Sequence, residues 1–144
     1  MPSVERTVTV DQPPEKVWAY ISDFRSTEDW DPPTVRTERT SGDGGVGTTY
    51  HNVSKLLGSE QEVEYEVTEY VEGSRLQLAG DAGSIKLLDT ITVTPAGAGT
   101  TVTYHAEFNP QGGARLTEPL MPAALKILAD RVAASLEETL QRLP

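Results

Sequence analysis

The C-terminal segment restricts what this chain can fold into more than any other stretch. From Pro122 onward, Leu125, Leu128, Val132, Leu136, Leu140 and Leu143 recur at spacings of three and four residues. Such spacing draws one apolar stripe along a helix of roughly twenty residues. A stripe of that length is stable in water only against an equally apolar partner, and the chain offers one candidate of sufficient size, the strands that fill its middle.

Those strands are written in period two. "TVRTERT", "TTYHNVSKL", "EQEVEYEVTEYV", "SRLQLAG", "SIKLLDTITVTP" and "TTVTYHAEFNP" are separated by the turn-forming stretches "SGDGGVG", "LGS", "EGS", "GDAG" and "AGAG". In "EVEYEV", Glu62, Glu64 and Glu66 alternate with Val63, Tyr65 and Val67. One face is therefore wet and the other buried, as an antiparallel sheet allows, and the glutamates read as a solvated face. The opening "VERTVTVD" is a further strand, with Val4, Val8 and Val10 on one face and Arg6 breaking the pattern. A helix follows over "PEKVWAYISDF". Asp11 or Gln12 is the expected cap, and Pro13, Pro14 and Glu15 suit a first turn. A second short helix is expected near residues 24–30, stopped by Pro32 and Pro33. The expected fold class is α+β: strand, two short helices, six strands and a long helix, in one domain over residues 1–144. Periodicity is compatible with a final helix flush on the sheet and with one that leaves a hollow.

Composition excludes several functions. Twelve Lys and Arg stand against twenty-two Asp and Glu, a net charge of −10, which repels phosphate backbones and anionic membrane surfaces. Nucleic acid is not expected as a partner. With no cysteine, thiolate catalysis and zinc-thiolate sites are excluded. There is neither a basic start followed by an apolar run nor an apolar stretch of the ~18 residues a membrane span needs, so a cytoplasmic protein without stable membrane insertion is expected. The oligomeric state is left open.

The order of elements resembles the helix-grip fold of the START-like superfamily, across essentially the whole chain. The resemblance is carried by "PPEKVWAYISDFRSTEDWDP" at 13–32, "VTEY" at 67–70, the hairpin "DTITVTPAGAGTTVTY" at 89–104 and the amphipathic end. It is most similar to the bacterial polyketide cyclase/dehydrase and lipid-transport group. The glycine-rich loop at 42–48 is also similar to that of the plant pathogenesis-related allergens. The resemblance implies a curved antiparallel seven-stranded sheet wrapped around the C-terminal helix, enclosing a hydrophobic cavity. It also implies that Trp30 turns inward, closing the helical bend against the end of the sheet near the cavity, while Asp29 and Asp31 point to water. For Trp30, packing is the simpler reading and ligand contact the other.

Gly42, Gly44 and Gly47 formally spell G-x-G-x-x-G, but a dinucleotide site needs a helix after the loop, and a strand follows here. The loop is a hairpin turn. The two histidines have no metal-ligand spacing with each other or with a carboxylate pair, so no metal and no cofactor is expected. Parity puts His105 on the wet face with Thr103 and Glu107. His51 and Tyr50 cannot both point inward, and the flanking residues favour neither.

Asp89 is the most informative titratable residue. It falls in register with Ile85, Leu87, Ile91 and Val93, so parity puts a carboxylate on the apolar face, where burial without a partner is costly or raises its pKa. Either a bulge or nearby edge lets it reach water or an arginine, or it serves as a polar anchor or acid/base group in a cavity. Parity and helix face give the expected surroundings of a ligand: Trp30, Tyr65, Val67, Asp89, Ile91, Tyr104, Phe108, Leu125, Leu128 and Val132. Two functions lead: binding of a hydrophobic small molecule of lipid, polyketide or aromatic type, or a polyketide cyclase/dehydrase-like enzyme using Asp89, a cavity tyrosine and His51 as acid/base groups; an interaction module with a collapsed cavity is the third.

Overall fold

The computed structural model describes residues 2–56, 59–113 and 121–144, the side chains of Leu56, Met121 and Pro122 excepted. Strand β1 (Ser3–Val10) leads into α1 (Pro14–Ile21), a 3-10 turn (Phe24–Ser26) and α2 (Thr27–Trp30). Strands β2 (Thr34–Ser41), β3 (Thr49–Leu56), β4 (Ser59–Val71), β5 (Arg75–Asp81), β6 (Ile85–Ala96) and β7 (Gly99–Pro110) precede α3 (Met121–Gln141). The strands form one antiparallel sheet in the order β1-β7-β6-β5-β4-β3-β2, with β1 and β2 at its edges. The turn expected at "LGS" falls partly on residues 57–58, outside the described residues.

Alternation sorts each strand between core and water. In β4 the glutamates 62, 64 and 66 are exposed while Val63, Tyr65 and Val67 are buried. The α3 stripe closes the core from the other side: Leu136 and Leu140 are fully buried, each contributing about 1.5–3 kcal/mol. α3 packs along β1 and touches α2, so the inner face of the sheet curls round it. This is the expected helix-grip arrangement. No described helix is long and apolar enough to cross a membrane.

Two local expectations are corrected. Neither Asp11 nor Gln12 caps α1; Pro13 occupies the N-cap with no side-chain bond to the helix amides. Gln12 is used elsewhere, donating from Nε2 to the carbonyls of Gln141 (3.0 Å) and Leu143 (2.9 Å), while the Asp11 amide donates to Gln141 Oε1 (3.0 Å). The start of α1 is thus clasped to the end of α3. The first helix also ends at Ile21 rather than running to Phe24. The Asp23 carboxylate accepts the Arg25 amide at 3.0 Å, and such local side-chain bonding competes with helix continuation.

The glycine loop is a hairpin turn. Gly42, Gly44 and Gly47 have φ of 90°, 111° and 91°, a region that disfavours residues bearing a Cβ. At Gly42 a Cβ would also lie 2.7 Å from the Thr48 backbone.

The clasp gives a stability prediction. Gln12→Ala leaves two carbonyls at the end of α3 without their donor and should lower unfolding free energy by about 1–3 kcal/mol. Urea denaturation checks this, and a midpoint equal to wild type would show that the clasp contributes nothing.

Candidate functional site

Between the inner face of the sheet and α3 lies a cavity of about 70 Å³. Small side chains are part of its lining: Ala106 on β7, and Ala129 and Ala133, one turn apart on α3. Val8, Val63, Leu87 and Phe108 from the sheet and Leu125, Leu128, Val132 and Leu136 from α3 complete an apolar wall. The polar groups on the wall are Arg6, Asp31, Ser54, Tyr65, Asp89 and Tyr104.

Asp89 is held on the inner face by unbroken register. It stands opposite Leu78 of β5 and Ala106 of β7, with no bulge on either side. The residue is only 5% exposed, and no basic side chain among the described residues pairs with it. Of the two readings open at Asp89, the escape to water or arginine is therefore not the one adopted. Burial, reinforced by the charge of Asp31, raises its pKa from 3.8 to about 7, while the phenols of Tyr65 and Tyr104 offset part of that rise. Both phenols are themselves held well above their ordinary value, first by burial and then by the Asp89 and Asp31 charges. Gly80, opposite Tyr65 across the β4–β5 pair, gives the Tyr65 ring its place; a Cβ there would sit 2.7 Å from the ring.

Asp31 corrects the expectation that it points to water. It lines the cavity, and burial pushes its pKa up to about 6 against the opposing hydrogen bond from Thr34. The residue keeps some surface exposure, but the protein packed round its carboxyl governs the shift. The backbone at this residue follows from "WDPP". A residue before proline is biased to extended backbone, and Asp31 has φ −104° and ψ 99° at the end of α2. The chain therefore leaves the helix at Asp31. The Thr34 amide returns to its carbonyl at 2.9 Å, and the Thr34 hydroxyl donates to Oδ2 at 2.6 Å. Behind them Asn52 Nδ2 donates to Thr34 (3.2 Å) and Thr37 (2.8 Å), Ser54 donates to Asn52 Oδ1 (2.6 Å), and Thr27 meets Thr37 at 2.6 Å. This buried polar network joins α2 to β2 and β3. Asp29 is exposed, as expected, and accepts from the Tyr20 hydroxyl at 2.6 Å.

The other expected site residues divide clearly. Tyr65, Asp89, Tyr104, Phe108, Leu125, Leu128 and Val132 line the cavity; Trp30, Val67 and Ile91 do not. Trp30 is 1% exposed, donates from Nε1 to Ser26 Oγ at 3.0 Å and meets the Tyr104 ring edge-on at 5.6 Å. It stands one layer behind the wall. Val67 and Ile91 have the inward parity but belong to the solid core with Val17, Trp18, Ile21 and Phe24. There α1 packs on β6 and β7.

His51 is not in the cavity. Tyr50 takes the inward position and is 1% exposed. The His51 ring lies on the outer face between Glu64, bonded to Nδ1, and Glu62, 3.2 Å from Nε2. These carboxylates raise its pKa above the ordinary value, chiefly through the Glu64 hydrogen bond, and it has no path to the buried carboxyls. His105 stays on the outer face between Thr90 and Glu5 in the register. No group of three or more His, Cys, Asp or Glu among the described residues is placed to hold a metal.

Comparisons with known proteins agree with this architecture. The family model described as "Polyketide cyclase / dehydrase and lipid transport" matches residues 1–143. The structure is similar to the Zhui aromatase/cyclase of a Streptomyces species, at 15% identity and a TM-score of 0.82, covering 98% of this chain and 94% of that one. It is similar to a protein of Thermus thermophilus at 19% identity and TM-score 0.79, covering 95% of each chain. A START superfamily protein from Mycobacterium smegmatis aligns at 15% identity and TM-score 0.73, over 95% of this chain and 98% of that one. No curated protein sequence matches significantly.

Burial of Asp89 predicts a pH dependence of stability. Its folded pKa lies above its unfolded value, so the native state holds the proton more tightly. The stability this gives is full below about pH 4 and is lost as pH rises to about 7, on the order of a few kcal/mol. Asp89→Asn cannot ionise and should gain on wild type across that window, becoming the more stable protein at about pH 8. Urea midpoints of both proteins at about pH 4.5 and about pH 8 test this. A wild-type-to-variant difference that does not change with pH would mean that the carboxyl is well solvated.

Proposed function

The chain belongs to the polyketide cyclase/dehydrase and lipid-transport family, and from that premise we propose that it binds a small hydrophobic molecule in the cavity between sheet and α3. The observation that carries this reading is a mostly apolar void with its polar groups provided by a few side chains, Asp31, Asp89, Tyr65, Tyr104 and Ser54 among them. Ligand sites have this composition: apolar walls give affinity, and a few polar groups fix orientation. The volume narrows the class. At the size of an enclosed water, about 70 Å³ corresponds to roughly five to seven waters, and bonded heavy atoms sit closer together than separate waters. That suits a single aromatic ring with a short substituent, whereas a lipid tail or a full polyketide chain would require α3 to move away from the sheet.

A catalytic reading is supported by a separate observation. Two carboxyls line one cavity with pKa values raised to about 6 and about 7. Near neutral pH one can hold a proton while the other is ionised. Such a pair can take a proton from an acidic C–H with one carboxylate and deliver one to a carbonyl oxygen from the other carboxyl, with a tyrosine hydroxyl polarising that oxygen. This is cyclase/dehydrase-like chemistry, and the aromatase/cyclase name of one structural neighbour points the same way. The acid/base groups are then Asp31 and Asp89 with Tyr65 and Tyr104, and His51 has no part.

Mass spectrometry of the natively purified protein, before and after solvent extraction, tests for a resident ligand; turnover of any recovered compound separates carrier from catalyst. The cavity itself is tested by Ala129→Leu, which adds three heavy atoms to the void. Benzyl alcohol titrated into wild type should shift the NMR signals of Tyr65, Tyr104 and Phe108. The variant should bind about tenfold more weakly, or not at all, with little loss of thermal stability. Equal binding by a folded variant would place the ligand elsewhere.

A further inference from the structure

Resting on the binding reading above, we infer that the ligand this cavity selects is a lipophilic primary amine, bound as the ammonium ion between Asp31 and Asp89 with its apolar body against α3.

The argument is one of charge. Asp31 and Asp89 both line the void, and the only basic side chain among the described lining residues is Arg6. Arg6 is turned to the rim. Its Nε donates to Asp130 Oδ1 at 2.9 Å and its Nη1 to the Glu5 carbonyl at 2.8 Å, and Asp130 is largely exposed. Every element round the pair contributes to the balance. β1 gives Arg6, β3 gives Ser54, β4 and β7 give the neutral phenols of Tyr65 and Tyr104, and α3 gives only apolar lining. Among the described residues, the two acids thus line the void without a counter-ion of their own. Removing carboxylates from water is expensive unless they are paired, and the missing partner is a cation.

Among ligands small enough for the void, a primary ammonium fits these groups best. It has three N–H donors and no acceptor. Two of the donors match Asp31 and Asp89, and the third matches the oxygen of a tyrosine or of Ser54. An alcohol donates one hydrogen bond and neutralises nothing. A carboxylate meets two like charges and is excluded. The apolar α3 wall then takes the ring or short chain that carries the amine, adding apolar burial to charge-assisted hydrogen bonds.

Linkage gives the inference a signature that simple packing lacks. A cation beside the pair favours the ionised form of both carboxyls, so binding expels whatever protons they hold. Amine affinity should therefore rise as pH increases through the window from about 6 to about 7 in which the pair titrates. It should then stay level until the amine loses its own proton, near the ordinary alkylamine value of about 10. A neutral isostere has no reason to follow that curve.

The test compares benzylamine, benzyl alcohol and benzoate by NMR titration of the full chain at about pH 5 and about pH 8. Salt of about 0.3 M screens the acidic surface, and the cavity signals of Tyr65, Tyr104 and Phe108 are the readout. Expected at pH 8 is benzylamine about tenfold or more tighter than benzyl alcohol, with benzoate not bound. The advantage should shrink at pH 5 and disappear in Asp31→Asn and Asp89→Asn. Benzyl alcohol binding as tightly as benzylamine at pH 8 would overturn the amine inference and leave the cavity reading intact. An amine advantage retained in both variants would also overturn it, since surface charge would then be the cause. If none of the three compounds moves the cavity signals, the binding reading fails and the inference with it. The wild-type pH series decides by itself if a variant does not fold.

Discussion

The sheet and α3 hold each other in place, because neither has an apolar face that is stable in water alone. Leu136 and Leu140 are buried in the core, and α3 lies along β1 at the sheet edge. The Gln12 clasp fixes the same junction from the other side, tying the chain that leaves β1 to the last turn of α3. The length of contact is therefore set at one end, near α1, where the core is solid. The hollow is lined in part by alanines 106, 129 and 133. Core and cavity are two stretches of one interface, distinguished by side-chain volume rather than by a change of fold.

Within that interface the Asp31–Asp89 pair is the feature least explained by stability. An apolar residue at either position would remove a desolvation cost, and replacing buried charges by packed hydrophobes is often neutral or stabilising. Asp89 gains partial relief from two phenols, and Asp31 from one threonine hydroxyl. Neither gains a cation among the described residues. The buried network through Thr34, Asn52, Thr37 and Thr27 shows what full satisfaction looks like in this protein, each hydroxyl or amide meeting another within 3.2 Å. The network ends at Asp31, and its order is what makes that carboxyl's position definite. Residues that violate local stability rules while their surroundings are well ordered are where functional sites are expected.

The sequence carried the fold and half of this pair. Period-two alternation and the α3 stripe determine which side chains face inward, and Asp89 was legible because it interrupts an otherwise apolar face. Parity gives a face but no depth along the strand. Ile91, two residues from Asp89, shares its side and lies in solid core, since α1 packs over that end of the sheet. The sequence cannot measure how far a separate helix reaches. Asp31 was illegible for a different reason. It lies outside any periodic element, and its direction depends on the turn through Pro32 and Pro33. The His51 and Tyr50 ambiguity had the same root. Parity allowed either assignment, and the choice fell to what each side offered: Glu62 and Glu64 on the wet face for the imidazole, and the Phe24 and Tyr65 rings for the phenol.

Depth and direction also explain why the family's architecture leaves so much of the chemistry to a few side chains. The curled sheet, the clasped helix and the hairpin loops require only apolar alternation, small turn residues and one amphipathic helix, conditions that sequences at 15–19% identity meet alike. The cavity requires more of particular residues. Its small side chains are alanines 106, 129 and 133, and its polarity comes from one carboxyl in a strand, another at a helix end and two tyrosines on different strands. Exchanging any of these leaves the sheet and α3 able to bury each other. The scaffold can therefore hold its shape while the groups lining the void change, so what distinguishes one member of the fold from another lies in the few groups that face it.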